Sequence, residues 1–199
     1  MFVKEHIVLG LCAATFFATP AVAGDWPQWL GPDRNGTSNE KGLLKQFAEA
    51  GPEVVWRAPL GKGFSAIAIA ASRLYTMSTD KEGEFVVCLD AATGKVLWRV
   101  RTGGYFEEAQ GGDGPRSTPT VDGDVVYALG AQGQLFALNA ESGEVGWQKD
   151  LAKEFGSEVP RWGFSTSPLI DGDLLFVEVG GVDGNFVVDM VIDREAAAT

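Results

Sequence analysis

Short segments rich in apolar residues, separated by turn residues, recur between residues 63 and 195, and positions two apart such as Val86 and Cys88 or Leu135 and Ala137 fit half-buried β-strands. The clearest example is the unit at residues 112–151. Its pattern predicts strands at residues 117–121, 125–129, 134–139 and 145–148. Between the first two strands, Asp122-Gly123-Asp124 provides the positive φ angles that a tight hairpin turn needs. The pattern therefore predicts a four-stranded antiparallel sheet.

The same unit recurs along the chain. The sequence LDAATGKVLW (89–98) returns as LNAESGEVGW (138–147), at an offset of 49 residues. Segments that open at Gly63, Gly114 and Gly163 align without a gap, at offsets of 51 and 49. A period of this size in β-rich sequence indicates a propeller or a similar array. The repeat predicts blades at residues 62–103 and 112–151 and an incomplete blade at 161–195.

The stretches AATGKVLW and AESGEVGW resemble the tryptophan-docking motif of the propellers built from pyrroloquinoline-quinone-like repeats. In that family an alanine, a Thr/Ser-Gly turn and a tryptophan at fixed spacing lock one blade to the next. The resemblance implies structural docking roles for Gly94, Trp98, Gly143 and Trp147. It implies an all-β fold, a β-propeller of four-stranded antiparallel blades.

The start of the chain resembles the same family. DWPQWLGPDRNGTS (25–38) is similar to the opening of exported propellers related to the outer-membrane-assembly propeller lipoprotein, and residues 24–51 are assigned to an N-terminal extension. Residues 52–61 resemble a lone fourth strand, which in propellers closes the ring by joining the last blade. A closed propeller needs about four to eight blades. With about two full blades and part of a third, we expect a fragment.

The first 23 residues are typical of a secretory signal peptide. Lys4 provides a basic start, residues 7–17 are apolar but too short to span a bilayer, and Ala21-Val22-Ala23 is a cleavage site. We therefore expect a mature chain that begins at Gly24 and is periplasmic or secreted. No later stretch is long and apolar enough to predict a transmembrane segment.

Cleavage would limit the available chemistry. The only histidine, His6, and one of the two cysteines, Cys12, would leave with the signal peptide. The mature chain would then have no Ser-His or Cys-His pair and no histidine metal ligand, and Cys88 alone could not form an internal disulfide. The net charge of −11 and the lack of a basic cluster argue against nucleic acid as a partner.

Two functions of different classes are compatible with these features. We favour a non-catalytic exported propeller module for binding or assembly, with other proteins as partners through the propeller face and with no cofactor. The alternative is a fragment of a quinoprotein dehydrogenase that uses pyrroloquinoline quinone and calcium. That family is expected to show an adjacent Cys-Cys pair, which the sequence lacks. The Asp-Gly-Asp segments are interpreted as hairpin turns, so no catalytic or metal-binding residue is assigned.

Candidate ligand-contacting residues lie just before the first strand of each unit, because the innermost strands of a propeller line its central channel. Arg116, Arg161 and Trp162 interrupt the repeat pattern there. Departures from a repeat are where functional residues are expected. We therefore predict that these three side chains lie on the channel face. The alternative for Arg116 is a simple ion pair with a neighbouring carboxylate such as Asp113.

Overall fold

The computed structural model describes residues 24–180, 187–192 and 194. The predicted signal peptide and most of the last residues of the third unit lie outside this range. Eleven strands are formed by the described residues. They are β1 (Ala68–Ala70), β2 (Arg73–Asp80), β3 (Gly83–Asp90), β4 (Val96–Gly103), β5 (Thr120–Asp122), β6 (Val125–Leu129), β7 (Gln134–Asn139), β8 (Val145–Asp150), β9 (Leu169–Asp171), β10 (Leu174–Glu178) and β11 (Val187–Val191).

The strands form three antiparallel sheets in sequence order. Blade 1 contains β1-β2-β3-β4, blade 2 contains β5-β6-β7-β8, and the described part of blade 3 contains β9-β10-β11. The first strands β1, β5 and β9 are neighbours, which makes them the inner strands of the array. The fold is therefore all-β, a propeller arrangement of antiparallel blades, as the repeat predicted.

Repetition extends to the irregularities. The β3–β4 pairing shifts register between Cys88 and Leu89, and the β7–β8 pairing shifts between Ala137 and Leu138, 49 residues later. Trp98 and Trp147 lie opposite Cys88 and Ala137, at these shifts. The two blades therefore present their tryptophans from equivalent backbone positions.

Blade 2 buries both of its faces, which explains its apolar strands. Val126 and Ala128 join the cluster shared with blade 1, whereas Val125, Tyr127 and Leu129 join the cluster shared with blade 3. Successive side chains of a strand point to opposite faces, so one strand contributes to two interfaces. Burial of these apolar side chains between sheets is what holds successive blades together.

The predicted strands of the second unit are present, although β8 extends to Asp150 and the inner strand is shorter than predicted. We expected the first strand of the second unit to begin at Ser117, but β5 begins at Thr120. Pro119 precedes it, and proline has no N–H for a ladder hydrogen bond. A short helix, α1 (Leu151–Glu154), was not predicted; the Asp150 side chain caps it by accepting a hydrogen bond from the Lys153 N–H.

Residues 52–61, predicted as a ring-closing strand, form no strand among the described residues. A fourth strand needs the edge of a last blade as its hydrogen-bonding partner, and no described sheet offers that partner to this segment. Instead, Trp56, Ala58 and Leu60 pack on the outer face of blade 1, against a cluster that includes Leu74 and Leu89. The segment covers an apolar sheet face.

The N-terminal extension runs along the inner strands. Trp26 and Ile69 exchange two backbone hydrogen bonds, with N···O distances of 2.7 and 2.8 Å. The Val121 N–H then donates to the Pro27 carbonyl at 2.8 Å, and the Arg34 guanidinium donates to the Ile170 carbonyl. We call residues 25–36 the inner segment; it contacts the first strand of all three blades.

Candidate functional site

The tryptophan of one blade lies on the glycine turn of the next blade. Trp98 Nε1 donates to the Ala140 carbonyl at 3.1 Å, and its ring lies so close to Gly143 that a Cβ there would meet ring atoms at 2.7 Å. Gly143 has a φ of +76°, which favours glycine. Trp56, which precedes blade 1, makes the same kind of contact with the turn of that blade: its Nε1 donates to the Ala91 carbonyl at 3.1 Å and its ring covers Gly94.

Trp147 lies at the equivalent position of blade 2 but is only half-buried. Its ring is 6.0 Å from that of Tyr127, at an interplanar angle of 47°, and Trp98 and Tyr75 show nearly the same arrangement, 5.9 Å and 48°. The turn on which Trp147 would lie, beyond Ile192, falls largely outside the described residues. Each of the two tryptophans thus packs against a tyrosine on the second strand of its own blade.

The three predicted channel-face residues lie at the rim where the inner strands begin. Arg116 and Trp162 line one small pocket together with Phe64 and Gly111. Phe64 is 56% exposed and Trp162 is 55% exposed, and the Arg161 guanidinium lies 5.8 Å from the Trp162 ring centroid. We call Phe64, Arg116, Arg161 and Trp162 the rim patch. The sequence identified three of its members but not Phe64.

Arg116 is the fixed member of the rim patch. Its guanidinium lies 5.2 Å from the ring centroid of Phe64 and 4.9 Å from that of Phe106, within the range of cation–π attraction. It also donates to the Gly112 carbonyl at 2.6 Å and to the Gly114 carbonyl. These contacts hold a half-buried positive charge in one orientation beside exposed aromatic rings.

Asp113 does not pair with Arg116, so the simple ion pair considered for Arg116 is wrong. Asp113 Oδ2 instead accepts hydrogen bonds from Lys62 Nζ at 2.8 Å and from the Tyr105 hydroxyl at 2.6 Å. These bonds, first the one from Lys62, hold the pKa of the Asp113 carboxyl well below its usual range. The hydrogen bonds of Arg116 itself go to the Gly112 and Gly114 carbonyls.

Glu84 is a buried carboxyl that sequence reasoning missed. The residue is 2% exposed, and its carboxylate reaches from blade 1 to blade 2, where the Ala131 N–H donates to both oxygens at 3.2 and 3.3 Å. A Cβ at Gly130 would lie 2.5 Å from Glu84 Oε1. Burial raises the pKa of Glu84 to about 7, against the lowering effects of the Ala131 N–H, the Thr102 hydroxyl and the Arg116 charge.

A larger groove lies beneath the rim patch, between the inner segment, the residues that lead into β5 and β9, and the end of β10. Its volume is about 650 Å³. Most of its lining is apolar, and Arg34, Arg116 and Glu178 are its charged members. Volumes of this size, with a mostly apolar lining and a few polar groups, are typical of small-molecule sites.

The described residues contain no cluster of three or more His, Cys, Asp or Glu side chains that could hold a metal ion. The carboxylates of two Asp-Gly-Asp turns are bound to one guanidinium, since Arg194 contacts Asp122 at 2.8 Å and Asp173 at 2.7 Å. They serve as an ion-paired link between the turns of blades 2 and 3. Nor does the described part of the chain contain a helix long and apolar enough to cross a membrane.

Comparisons with known proteins agree with the repeat. The sequence model of the family described as outer membrane protein assembly factor BamB matches residues 40–187. A curated relative from Shewanella oneidensis, the outer membrane protein assembly factor BamB, is 33% identical over 116 residues, which cover 53% of this chain and 27% of the relative. The chain thus spans about a quarter of the length of that relative.

Two solved structures are also similar. BamB from Moraxella catarrhalis matches with a TM-score of 0.46 and 14% identity, over 64% of this chain and 33% of that one. A europium-containing methanol dehydrogenase matches with a TM-score of 0.46 and 17% identity, over 64% of this chain and 22% of that one. The two neighbours have different functions and equal scores, so neither favours one function.

Proposed function

Because the chain belongs to the family of the outer membrane protein assembly factor BamB, whose propellers are built from pyrroloquinoline-quinone-like repeats, we propose that it is a non-catalytic binding module of outer membrane protein assembly. The module would act outside the cytoplasm, in the periplasm, after removal of residues 1–23. Its partners would be other proteins of the assembly machinery. Its blades, locked by tryptophans on glycine turns, would serve as a rigid support for the binding surface.

The rim patch is the observation that supports a protein partner. Tryptophan and arginine are the residue types most enriched where protein interfaces concentrate their binding energy. Here Phe64 and Trp162 expose more than half of their surface, and Arg116 lies between exposed and buried aromatic rings with its orientation fixed. Because Arg116 is already held in one orientation, it loses little conformational entropy on binding.

The test measures binding of the mature protein to the purified outer membrane assembly complex of the producing organism, by biolayer interferometry. Trp162→Ala and Phe64→Ala should each weaken binding at least about tenfold, the scale of an interface hot spot. Leu97→Ala is the matched control, since Leu97 is an exposed apolar residue on β4, away from the rim. Equal loss for all three variants, or loss for none, would contradict the proposal.

The alternative, a fragment of a quinoprotein dehydrogenase, makes different demands on the chain. Calcium needs several oxygen ligands, and the described residues contain no grouped set of carboxylates to supply them. The calcium ligands of such an enzyme would therefore have to come from residues outside the described part. The groove is of suitable size for a small planar molecule. An assay of alcohol oxidation with pyrroloquinoline quinone and Ca²⁺ separates the two functions.

A further inference from the structure

We infer that the groove beneath the rim patch binds a small amphiphilic carboxylate, a molecule with an apolar body and one carboxylate head. This ligand site goes beyond the proposed protein-binding function and does not depend on it. The groove is lined by the inner segment, by the residues that lead into β5 and β9, and by the end of β10. Its lining side chains provide the two properties that such a ligand would need.

The first property is a positive charge without a carboxylate partner. Among the described residues, no carboxylate oxygen lies within 4.0 Å of the guanidinium groups of Arg34 or Arg116. Arg34 donates to Gln28 and to the Ile170 carbonyl, and Arg116 donates only to carbonyls. The two arginines lack a carboxylate partner in the described part of the chain even though the chain as a whole is acidic, with a net charge of −11. Because only one carboxylate, Glu178, lines the groove against two guanidinium groups, the groove favours an anion.

The second property is an apolar wall for the body of the ligand. Trp29 and Leu30 are 52% and 41% exposed and line the groove together with the half-buried Leu169 and Phe176. Apolar side chains that line a concavity gain free energy when an apolar ligand displaces water from it. The Arg116 guanidinium, held against Phe64, can donate charge-assisted hydrogen bonds to a carboxylate at the end of this wall.

The backbone of the inner segment is strained where it lines the groove. Leu30 and Arg34 have φ angles of +63° and +53°, in the left-handed region that residues other than glycine rarely adopt. Both side chains line the groove. The strain is held by the Gly36 N–H, which donates to the Leu30 carbonyl at 2.9 Å, and by the Arg34 N–H, which donates to Gly31 at 3.1 Å. Strain of this kind concentrates at ligand sites, where it orients side chains.

A small ligand fits these features better than a peptide does. The groove volume of about 650 Å³ lies within the range of small-molecule pockets. The inner segment already occupies the inner edges of the blades at Ile69 and Val121, so those edges cannot pair with an added peptide strand. The site therefore depends on side chains and on one anionic head group.

Isothermal titration calorimetry with the mature protein and dodecanoate, kept below its critical micelle concentration, tests the inference. We expect saturable binding with one site, and at least tenfold weaker binding of dodecanol and of dodecyltrimethylammonium, which have the same chain without the carboxylate. Equal binding of dodecanol would show an apolar surface without anion recognition and would overturn the inference. So would the absence of binding, or binding that pyrroloquinoline quinone or an acidic apolar peptide displaces at much lower concentration.

Variants assign the site. Arg34→Gln should weaken dodecanoate binding at least fivefold, and Arg34→Lys should restore part of the loss because it keeps the charge. Arg57→Gln is the matched control, an exposed arginine outside the groove that makes the same charge change. Circular dichroism confirms folding of each variant. Equal binding by Arg34→Gln and Arg57→Gln would overturn the assignment.

Trp162→Ala separates this inference from the proposed function. It should weaken binding to the assembly complex and leave dodecanoate binding unchanged, since Trp162 does not line the groove.

Discussion

The indole ring of Trp98 lies directly against the Cα atom of Gly143 in the next blade, where a Cβ would meet three ring atoms at 2.7 to 3.0 Å. The tryptophan of blade 1 therefore packs directly on the turn of blade 2. It also makes two separate demands at position 143, a positive φ and an empty space. A single substitution can test each demand.

Gly143→Ala should destabilise the protein more than Gly123→Ala. Both glycines have a positive φ, +76° and +57°, but only Gly143 is covered by a ring, and a Cβ at Gly123 would meet nothing within 4 Å. The left-handed conformation costs alanine about 1–2 kcal/mol at either site, and overpacking adds about 1–3 kcal/mol at Gly143. Urea unfolding measures both; equal losses would show that the ring contact contributes nothing.

Trp98→Ala should lower the free energy of unfolding by about 3–5 kcal/mol, the scale of an aromatic truncation in a core. Trp147→Ala should cost less, because Trp147 is only half-buried whereas Trp98 is 9% exposed. Trp98→Phe keeps most of the buried area but loses the Nε1 bond to Ala140, whose carbonyl still accepts from the Tyr75 hydroxyl at 3.1 Å. Thermal melts in which Trp98→Ala is not the most destabilised of the three variants would contradict the docking role of Trp98.

The buried Glu84 carboxyl should make stability fall as pH rises. Its pKa is raised from 4.5 to about 7 in the folded state, so the folded chain holds a proton that the unfolded chain releases. Its contribution is fully present below pH 4.5, is lost between about pH 4.5 and 7, and is constant above that. A shift of this size corresponds to about 3 kcal/mol as an upper bound.

Glu84→Gln isolates that contribution. The variant cannot ionise but can keep an acceptor for the Ala131 N–H, so its stability should vary less between pH 5 and 7.5 than that of the wild type. Glu82→Gln is the control, because Glu82 is an exposed glutamate two residues away. Parallel pH profiles for the wild type and Glu84→Gln would show that Glu84 does not titrate in this range.

The mature chain, supplied with pyrroloquinoline quinone and Ca²⁺, should not oxidise primary alcohols or aldoses. The described residues provide no grouped carboxylates to hold calcium beside the groove, and the carboxylates of Asp122 and Asp173 are already paired with Arg194. Dye reduction with the purified protein is the assay. Turnover that requires the quinone and stops when calcium is chelated would favour the dehydrogenase over the binding module.

The blades could be predicted because their information is local. The short apolar runs of β6 and β7 and the Asp-Gly turn before β6 depend on neighbours in sequence, so the repeat alone located them. The first strand of the second unit was predicted to begin too early because Pro119 interrupts the ladder. The site was found only in part: Arg116 and Trp162 interrupt the repeat, but Phe64 occupies a position that the repeat shares with Phe164.

The remaining features depend on distant partners. Glu84 resembles an exposed strand residue until blade 2 brings the Ala131 N–H to it. The contacts of Trp26 with Ile69 and of Arg34 with Ile170 join segments far apart in the chain. The inner segment has no periodic pattern from which these contacts could be predicted. Ring closure by residues 52–61 stays a prediction that depends on the edge of a last blade.

The backbone bonds of the inner segment have a consequence for self-association. Strands at the edge of a sheet expose unpaired N–H and C=O groups that can recruit a strand from another molecule and start aggregation. The pairs between Trp26 and Ile69 and between Pro27 and Val121 occupy such groups on β1 and β5. The first residues after the predicted cleavage point thus protect the inner edges of β1 and β5 from pairing with a strand of another molecule.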